Sequence, residues 1–435
     1  MVVIGVMKLK TKINAEDFRI KFKDCFLKES DSIFYKVVTT FCGYGFTRKV
    51  KNLDLNHHIR EVSSSSYTGK SFEEIVNILA NDNKIIEANG PPPWEVIIVN
   101  SIQGGSGSIV MLKFDHTLGD GYSLIKMFDT LTENESPNVN QDKWKCSLLA
   151  MIRIVLKAPY ECLCLFFSMN RDLVQDPLQS KNNETHEGKL IPISRGEEED
   201  DRILISTTTL DFKKVKSIRS HTGCRVLPIL TCIQVEALKS FLINLGRFDE
   251  KENEHIARYY RSIYLLPIPQ HPATISKQFC NHWIPGTARV NLNDSDLIGR
   301  LQRTSNSFDL WERNDFQIIV SKLRSIFYIL PIWVLKHITN LENFPHYNSL
   351  CSMPCSSKKY KLLGADLENL FCCVTHHSSS GFKGIIIFTL TRGDELDVCI
   401  RATRDLFRNQ EEIDTFTKIY YGQILDRYYY LCQNA

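Results

Sequence analysis

Several absences narrow the chemistry before any positive feature is considered. The 435 residues contain no Gly-x-x-x-x-Gly-Lys-Ser/Thr loop and no Gly-x-Gly-x-x-Gly turn, so neither a P-loop nor a glycine-rich dinucleotide site is encoded. There is no Gly-x-Ser-x-Gly elbow to present a nucleophilic serine, which leaves direct group transfer as the simpler chemistry. Charge of one sign is also scarce: 53 basic against 50 acidic residues leave a net +3, too little for a nucleic-acid footprint. The opening MVVIGVMKLKTKINAEDF has no basic segment ahead of its apolar run and no small-residue cleavage site after it. The 14 cysteines are therefore expected to be reduced, in a cytosolic and not a secreted protein. Their spacing lacks the paired two-residue separation of zinc sites, and the neighbours His57-His58 and His376-His377 would point to opposite faces of a strand. No bound metal or cofactor is expected.

What is present reads as a folded two-domain protein. The length exceeds what one hydrophobic core usually serves, and 43% apolar with 24% charged residues is ordinary globular composition. A polar, charge-rich stretch at 171–202, ending near the self-repelling EEEDD, is expected to link an N-terminal domain (1–170) to a C-terminal one (203–435). Helices and antiparallel strands alternate in both halves. AEDFRIKFKDCFLKE (15–29) and EEIVNILANDNKI (73–85) have helical spacing behind the N-cap candidates Asn14 and Ser71. PPPWEVIIVN (91–100) and GSIVMLKFDH (107–116) read as an antiparallel strand pair. KGIIIFTLTRGDELDVCIRAT (383–403) reads as a hairpin around RGDE, and 409–431 as a closing helix.

Two stretches, 147–168 and 318–338, are long enough to span a bilayer. However, each carries charges and a proline at its centre (Arg153, Lys157, Pro159 and Glu161; Lys322, Arg324 and Pro331), and one charge at mid-bilayer costs about 2.5–3.5 kcal/mol. They fit helices lying on a membrane surface with basic side chains at the headgroups, and equally two amphipathic helices packed on the protein's own core.

The segment with chemistry in it is MLKFDHTLGDGYSLIKMF (111–128). His116 closes a strand, the TLGDG turn follows, and a helix begins. Histidine takes and returns a proton near neutral pH with little tuning, which suits it to deprotonate an alcohol attacking a carbonyl, a role worth about 10² to 10⁴ in rate. Asp120 can fold back into a salt bridge that supports the loop, and Gly121 leaves room beside the imidazole. The same residues also fit a hydrogen-bonded histidine at a strand end next to an ordinary turn.

Several segments, in order, resemble one family, the plant and bacterial wax ester synthase and acyl-CoA:diacylglycerol O-acyltransferase proteins. NLDLNHHIR (52–60) is similar to its Phe-Asp-Leu-x-x-His-Val stretch, PPPWEV (91–96) to its Pro-Leu-Trp-Glu, and FDHTLGDGYSL to its His-His-x-x-x-Asp-Gly signature. LDFKKVKSIRSHTGCRVLPILTCIQVEALKSFL resembles the run into its long helix, and SMPCSSKKYKLLGADL (352–367) its Asn-x-Pro-Gly-Pro stretch. The resemblance implies an α/β (α+β) fold of two chloramphenicol-acetyltransferase-like domains with mixed sheets and a channel at their interface. It implies His116 as general base, Asp120 and Gly121 as support for its loop, acyl-CoA as co-substrate, and a lipid alcohol as acceptor, giving wax ester or triacylglycerol. A peripheral membrane location at the cytosolic face of the endoplasmic reticulum follows from such substrates. The sequence departs from the family at Asp115, where the first histidine stands, at Leu227-Pro228 in place of Asn-Asp, and at Cys355-Ser356 in place of Gly-Pro. These departures motivate an alternative, a catalytically silent relative that binds acyl chains or membrane lipid.

Overall fold

The computed structural model describes most of residues 2–132, 203–312 and 348–434; 133–202 and 313–347 lie almost wholly outside the described residues. The expected linker and the two long apolar stretches therefore fall outside them, apart from a few positions.

Fourteen strands are described: β1 (Val2–Leu9), β2 (Lys36–Phe41), β3 (Tyr44–Lys49), β4 (Ile59–Val62), β5 (Trp94–Asn100), β6 (Ser108–Asp115), β7 (Ile203–Asp211), β8 (Tyr259–Pro267), β9 (Trp283–Asn291), β10 (Asn348–Cys355), β11 (Lys361–Leu362), β12 (Ala365–Thr375), β13 (Ile385–Arg392) and β14 (Glu395–Thr403). They form two six-stranded sheets, in the orders β11-β12-β1-β6-β5-β4 and β7-β14-β13-β10-β8-β9, with β2-β3 as a separate ribbon. Both sheets are mixed: β4 runs parallel to β5, and β10 runs parallel to β13 and β8, among otherwise antiparallel pairs. This is the expected mixed α/β architecture. β5 and β6 pair antiparallel, with Trp94 opposite Phe114, and β13 and β14 form the hairpin expected around RGDE.

The sheets do not divide where the chain does. β1 is bonded on one side to β6 and on the other to β12, a strand from beyond residue 203. Both edges of an apolar central strand need backbone partners, and the first half supplies only one. The N-terminal sheet is thus completed by residues 361–375. One continuous buried cluster joins the two sheets, with Ile203, Ile205, Ile386 and Phe388 packed among residues of β1, β5 and β6.

Local sequence explains the elements that carry the site. Helix α1 (Ala15–Phe26) starts at Asn14, whose side chain accepts from the Glu16 and Asp17 amides, and it buries Phe18, Phe22 and Phe26 at four-residue spacing. The short helix α2 (Leu55–His58) starts at Asp54, whose side chain accepts from the Asn56 amide. Helix α3 (Phe72–Asn81) begins with a reciprocal capping box between Ser71 and Glu74. On its flank Asn77 and Asn81 act as artificial strand partners. Asn77 Oδ1 accepts from the Ile205 amide at 2.7 Å and Asn81 Oδ1 from the Ile203 amide at 3.1 Å, while the Asn81 amide nitrogen donates to the Ile203 carbonyl at 3.2 Å. They close the exposed edge of β7, which would otherwise be free to pair with another chain, and they tie the N-terminal half to the second sheet. Within the N-terminal half, buried Lys113 on β6 holds α3 to its sheet, reaching Glu95 at 3.1 Å and the Leu79 carbonyl at 3.0 Å.

Helix α4 (Gly121–Leu131) lies directly on β1 because Gly5 has no side chain. A Cβ there would sit 2.3 Å from Phe128 Cζ and 2.8 Å from Leu124 Cδ1. In the second half, α5 (Phe212–Thr222) ends at Gly223 with φ +69°, the left-handed stop that glycine accepts at no steric cost, and α6 (Val226–Asn244) follows. Helix α6 is long and apolar enough to cross a membrane, but 72% of its apolar window is buried inside the protein. Pro228 occupies its first turn, where its missing N–H would have had no intrahelical partner anyway.

Candidate active site at the end of β6

His116 is the first residue after β6, and Asp120 is the N-cap of α4. The strand delivers the imidazole and the helix fixes the loop that follows. Asp120 spends its two oxygens differently. Oδ1 accepts from the Ser123 amide at 2.9 Å, capping the helix. Oδ2 accepts from the His282 amide at 2.9 Å and sits 3.0 Å from His271 Nε2. A carboxylate can only accept, so His271 carries its proton on Nε2. His271 itself is fully buried, its ring 4.7 Å from that of Tyr122.

The segment 279–283, which leads into β9, lies across the loop. Ser123 Oγ donates to the Cys280 carbonyl at 3.0 Å, and the Asp120 amide donates to the same carbonyl at 3.3 Å. The Asn281 amide nitrogen donates to the His116 carbonyl at 2.5 Å, and the Trp283 ring meets the His116 ring edge-on at 6.3 Å. The loop bearing His116 is therefore assembled from both halves of the chain, at the seam between them. Sequence reasoning missed His271, Asn281, His282 and Trp283. No motif marks them, and only the accumulation of polar residues in QHPATISKQFCNHW could have drawn attention to the region.

Electrostatics suit a base. Burial, the largest effect, lowers the His116 pKa, and a backbone hydrogen bond, the Asp120 charge and Asn281 oppose it without cancelling it. The imidazole is neutral at pH 7. For Asp120 burial acts upward, but the His271 hydrogen bond and charge, with the His282 and Ser123 amides, together outweigh it, and the carboxyl titrates below its ordinary value. Asp115 Oδ1 accepts from the Thr117 amide at 2.9 Å, closing the turn after β6. Gly121 is the half-buried first residue of α4.

Two of the other quoted motifs, NLDLNHHIR and PPPWEV, meet at Trp94. Trp94 is sandwiched between His58, at 4.4 Å, and Phe22, at 4.9 Å. His58 Nδ1 contacts the Trp94 carbonyl at 2.7 Å, and Trp94 Nε1 donates to the Phe34 carbonyl at 2.9 Å. With Phe114 opposite Trp94, this aromatic stack braces the end of β6 from below. Leu227-Pro228 belongs to the start of α6; Cys355 ends β10, and Ser356 lies outside the described residues. Among the described residues no group of three His, Cys, Asp or Glu side chains is placed to hold a metal ion.

The fold is of a known class, the two-domain acyltransferase and condensation folds of chloramphenicol-acetyltransferase type. Within it, the model of the wax ester synthase/diacylglycerol acyltransferase catalytic domain matches residues 37–151, the span that contains His116, Asp120 and Gly121. Among solved structures, the wax ester synthase/diacylglycerol acyltransferase from Marinobacter aquaeolei VT8 superposes with a TM-score of 0.58 at 14% identity, covering 100% of this chain and 95% of that one. The trichothecene 15-O-acetyltransferase from Fusarium sporotrichioides gives 0.59 at 10% identity, covering 99% and 90%. The starter condensation domain of rhizomide synthetase, solved with C8-CoA, gives 0.57 at 9% identity, covering 98% and 89%. No curated protein sequence matches the chain. The family resemblance drawn from the motifs and the family-model match agree, and together they support an acyl-CoA-dependent acyltransferase.

Proposed function

We propose that the protein moves a fatty acyl group from acyl-CoA to the hydroxyl of a long-chain alcohol or of diacylglycerol, at the cytosolic surface of a membrane such as the endoplasmic reticulum. The observation that carries this reading is the half-buried, neutral His116 at the seam of the two halves, on a loop clamped by residues 280–283. The neutral imidazole takes the hydroxyl proton as the alkoxide oxygen attacks the thioester carbonyl. The tetrahedral intermediate then expels the CoA thiolate, which recovers the proton from the imidazolium, so ester and free CoA leave and the base is regenerated. No enzyme-bound acyl group is required. Asp120 and Gly121 do no chemistry; the aspartate holds the loop. Acyl-CoA as donor is in keeping with the neighbouring condensation domain solved with C8-CoA.

The test is purified protein with radiolabelled palmitoyl-CoA and either hexadecanol or dioleoylglycerol. Labelled wax ester or triacylglycerol is expected from wild type. A loss of at least two orders of magnitude in kcat is expected in His116→Ala, with the melting temperature little changed, in the range for removal of a general base. Product formed equally by His116→Ala discards the mechanism. No product from wild type, under conditions where the Marinobacter enzyme works, favours a silent lipid-binding relative.

A further inference from the structure

The β2-β3 ribbon takes no part in either large sheet and is not used by the chemistry above. Its root is fixed. Val37 is 4% exposed, and the Val50 amide donates to the Tyr35 carbonyl at 2.8 Å. Its tip is a cluster of aromatic side chains in water: Phe41 is 69% exposed, Tyr44 39% and Phe46 48%, with the Phe41 and Phe46 rings edge-on at 6.5 Å. Phe41 faces Tyr44 across the ribbon. A soluble surface gains nothing from three adjacent exposed rings.

Charge is sorted along the same ribbon. Residues 36–52, KVVTTFCGYGFTRKVKN, hold Lys36, Arg48, Lys49 and Lys51 and no acidic residue. The cations stand at the root, Lys36 opposite Lys49 and Arg48 opposite Val37, and the rings stand at the tip. At about 3.4 Å per residue, Arg48 stands roughly 7 Å along β3 from Phe46 and roughly 14 Å from Tyr44, so the rings occupy levels beyond the cations. A bilayer presents that order along its normal: acyl chains and interface for the rings, then a phosphate layer for the cations. Single-stranded nucleic acid instead asks for rings and cations interleaved along one groove, and two copies of this ribbon would bring like charges together.

We infer that the ribbon 36–51 docks the protein on an anionic lipid bilayer, with Phe41, Tyr44 and Phe46 entering the interface and Arg48, Lys49 and Lys51 at the phosphates. The inference rests on the membrane location proposed above and names the element responsible. It also accounts for how an acyltransferase could draw an apolar acceptor from a lipid phase.

The test is co-sedimentation of the full chain with sucrose-loaded vesicles of 70:30 phosphatidylcholine:phosphatidylserine and of phosphatidylcholine alone, at low and high salt. Wild type is expected to bind the anionic vesicles and to be weakened by salt. Arg48→Gln/Lys49→Gln/Lys51→Gln is expected to bind at least 30-fold more weakly, since each cation near an anionic surface contributes about a fivefold factor. Phe41→Ser/Phe46→Ser is expected to lose at least tenfold. Both variants change exposed residues only, and an unchanged melting temperature verifies the fold. In a parallel measurement, the fluorescence that Phe46→Trp adds to the wild-type emission should be quenched by phosphatidylcholine brominated on its acyl chains when phosphatidylserine is included. Wild type that binds neither vesicle overturns the membrane location and the inference with it. Wild type that binds while both variants bind equally, or added indole emission in Phe46→Trp that is indifferent to brominated lipid, overturns the inference alone and places docking on another surface. Binding of wild type to a single-stranded oligonucleotide in preference to anionic vesicles overturns it in favour of nucleic acid.

Discussion

Asp120→Asn separates the charge of the loop aspartate from its shape. The substituted side chain can keep Oδ1 on the Ser123 amide, so the cap of α4 survives. Its new amide nitrogen, however, then faces two donors, the His282 N–H and His271 Nε2–H, which Oδ2 now satisfies at 2.9 and 3.0 Å. Hydrogen bonds to a charged group contribute about 1.5–3 kcal/mol each. Two lost at a buried site give about 3–6 kcal/mol before relaxation, and because neighbours in one network are not additive we expect about 3 kcal/mol. Urea unfolding at pH 7 measures it directly. The pH dependence gives a second readout. Asp120 titrates below its ordinary value of 3.8 when folded. Its contribution is therefore fully present above that ordinary value and is lost as pH falls through the folded one. The difference between wild type and variant should be flat from pH 8 to about 5 and shrink in stronger acid. A difference below about 0.5 kcal/mol at pH 7, or one that does not shrink in acid, would refute the clamp of His271 and residues 280–282 on the loop that bears His116.

Other consequences are as direct. Gly5→Ala forces a methyl group into Phe128 and Leu124 beneath α4 and should cost about 1–3 kcal/mol by overpacking, with kcat falling because the loop moves with its helix; unchanged stability would contradict the contact. Arg401 is 2% exposed, its Nε and Nη1 have no hydrogen-bond partner among the described residues, and burial pulls its pKa down to about 10. Arg401→Met should raise the melting temperature by removing an uncompensated buried charge, and a lower one would mean that the cation holds a group not yet identified. Because burial lowers the His116 pKa below 6.5, the acidic limb of the kcat/KM profile should fall below pH 6.5, activity being lost as the imidazole protonates; a limb at or above 6.5 would exclude a base in this environment.

Much of the site's local framework was legible in the order of residues. The strand, turn and helix around His116, the caps Asn14 and Ser71, and the hairpin at RGDE all rest on contacts between near neighbours, which periodicity and cap chemistry report. The partners of that framework were not legible. Asp120 meets His271 and His282 across 151 and 162 positions, and the His116 carbonyl meets Asn281 across 165. These pairings follow from how the sheets come together, and no local pattern encodes them.

The same division runs through the whole molecule. By itself the sequence determined which residue could be the base, the turn that follows it, the mixture of helices and strands, and the family its motifs resemble, because side-chain chemistry and short-range spacing are written residue by residue. Only the tertiary structure decided that β12 from the second half would complete the first sheet, that Gly5 would seat α4, that the loop would be clamped from across the seam, and that three aromatic rings would stand in water at the tip of a ribbon. Backbone pairing and burial are settled by which distant segments satisfy each other's hydrogen bonds and exclude water together.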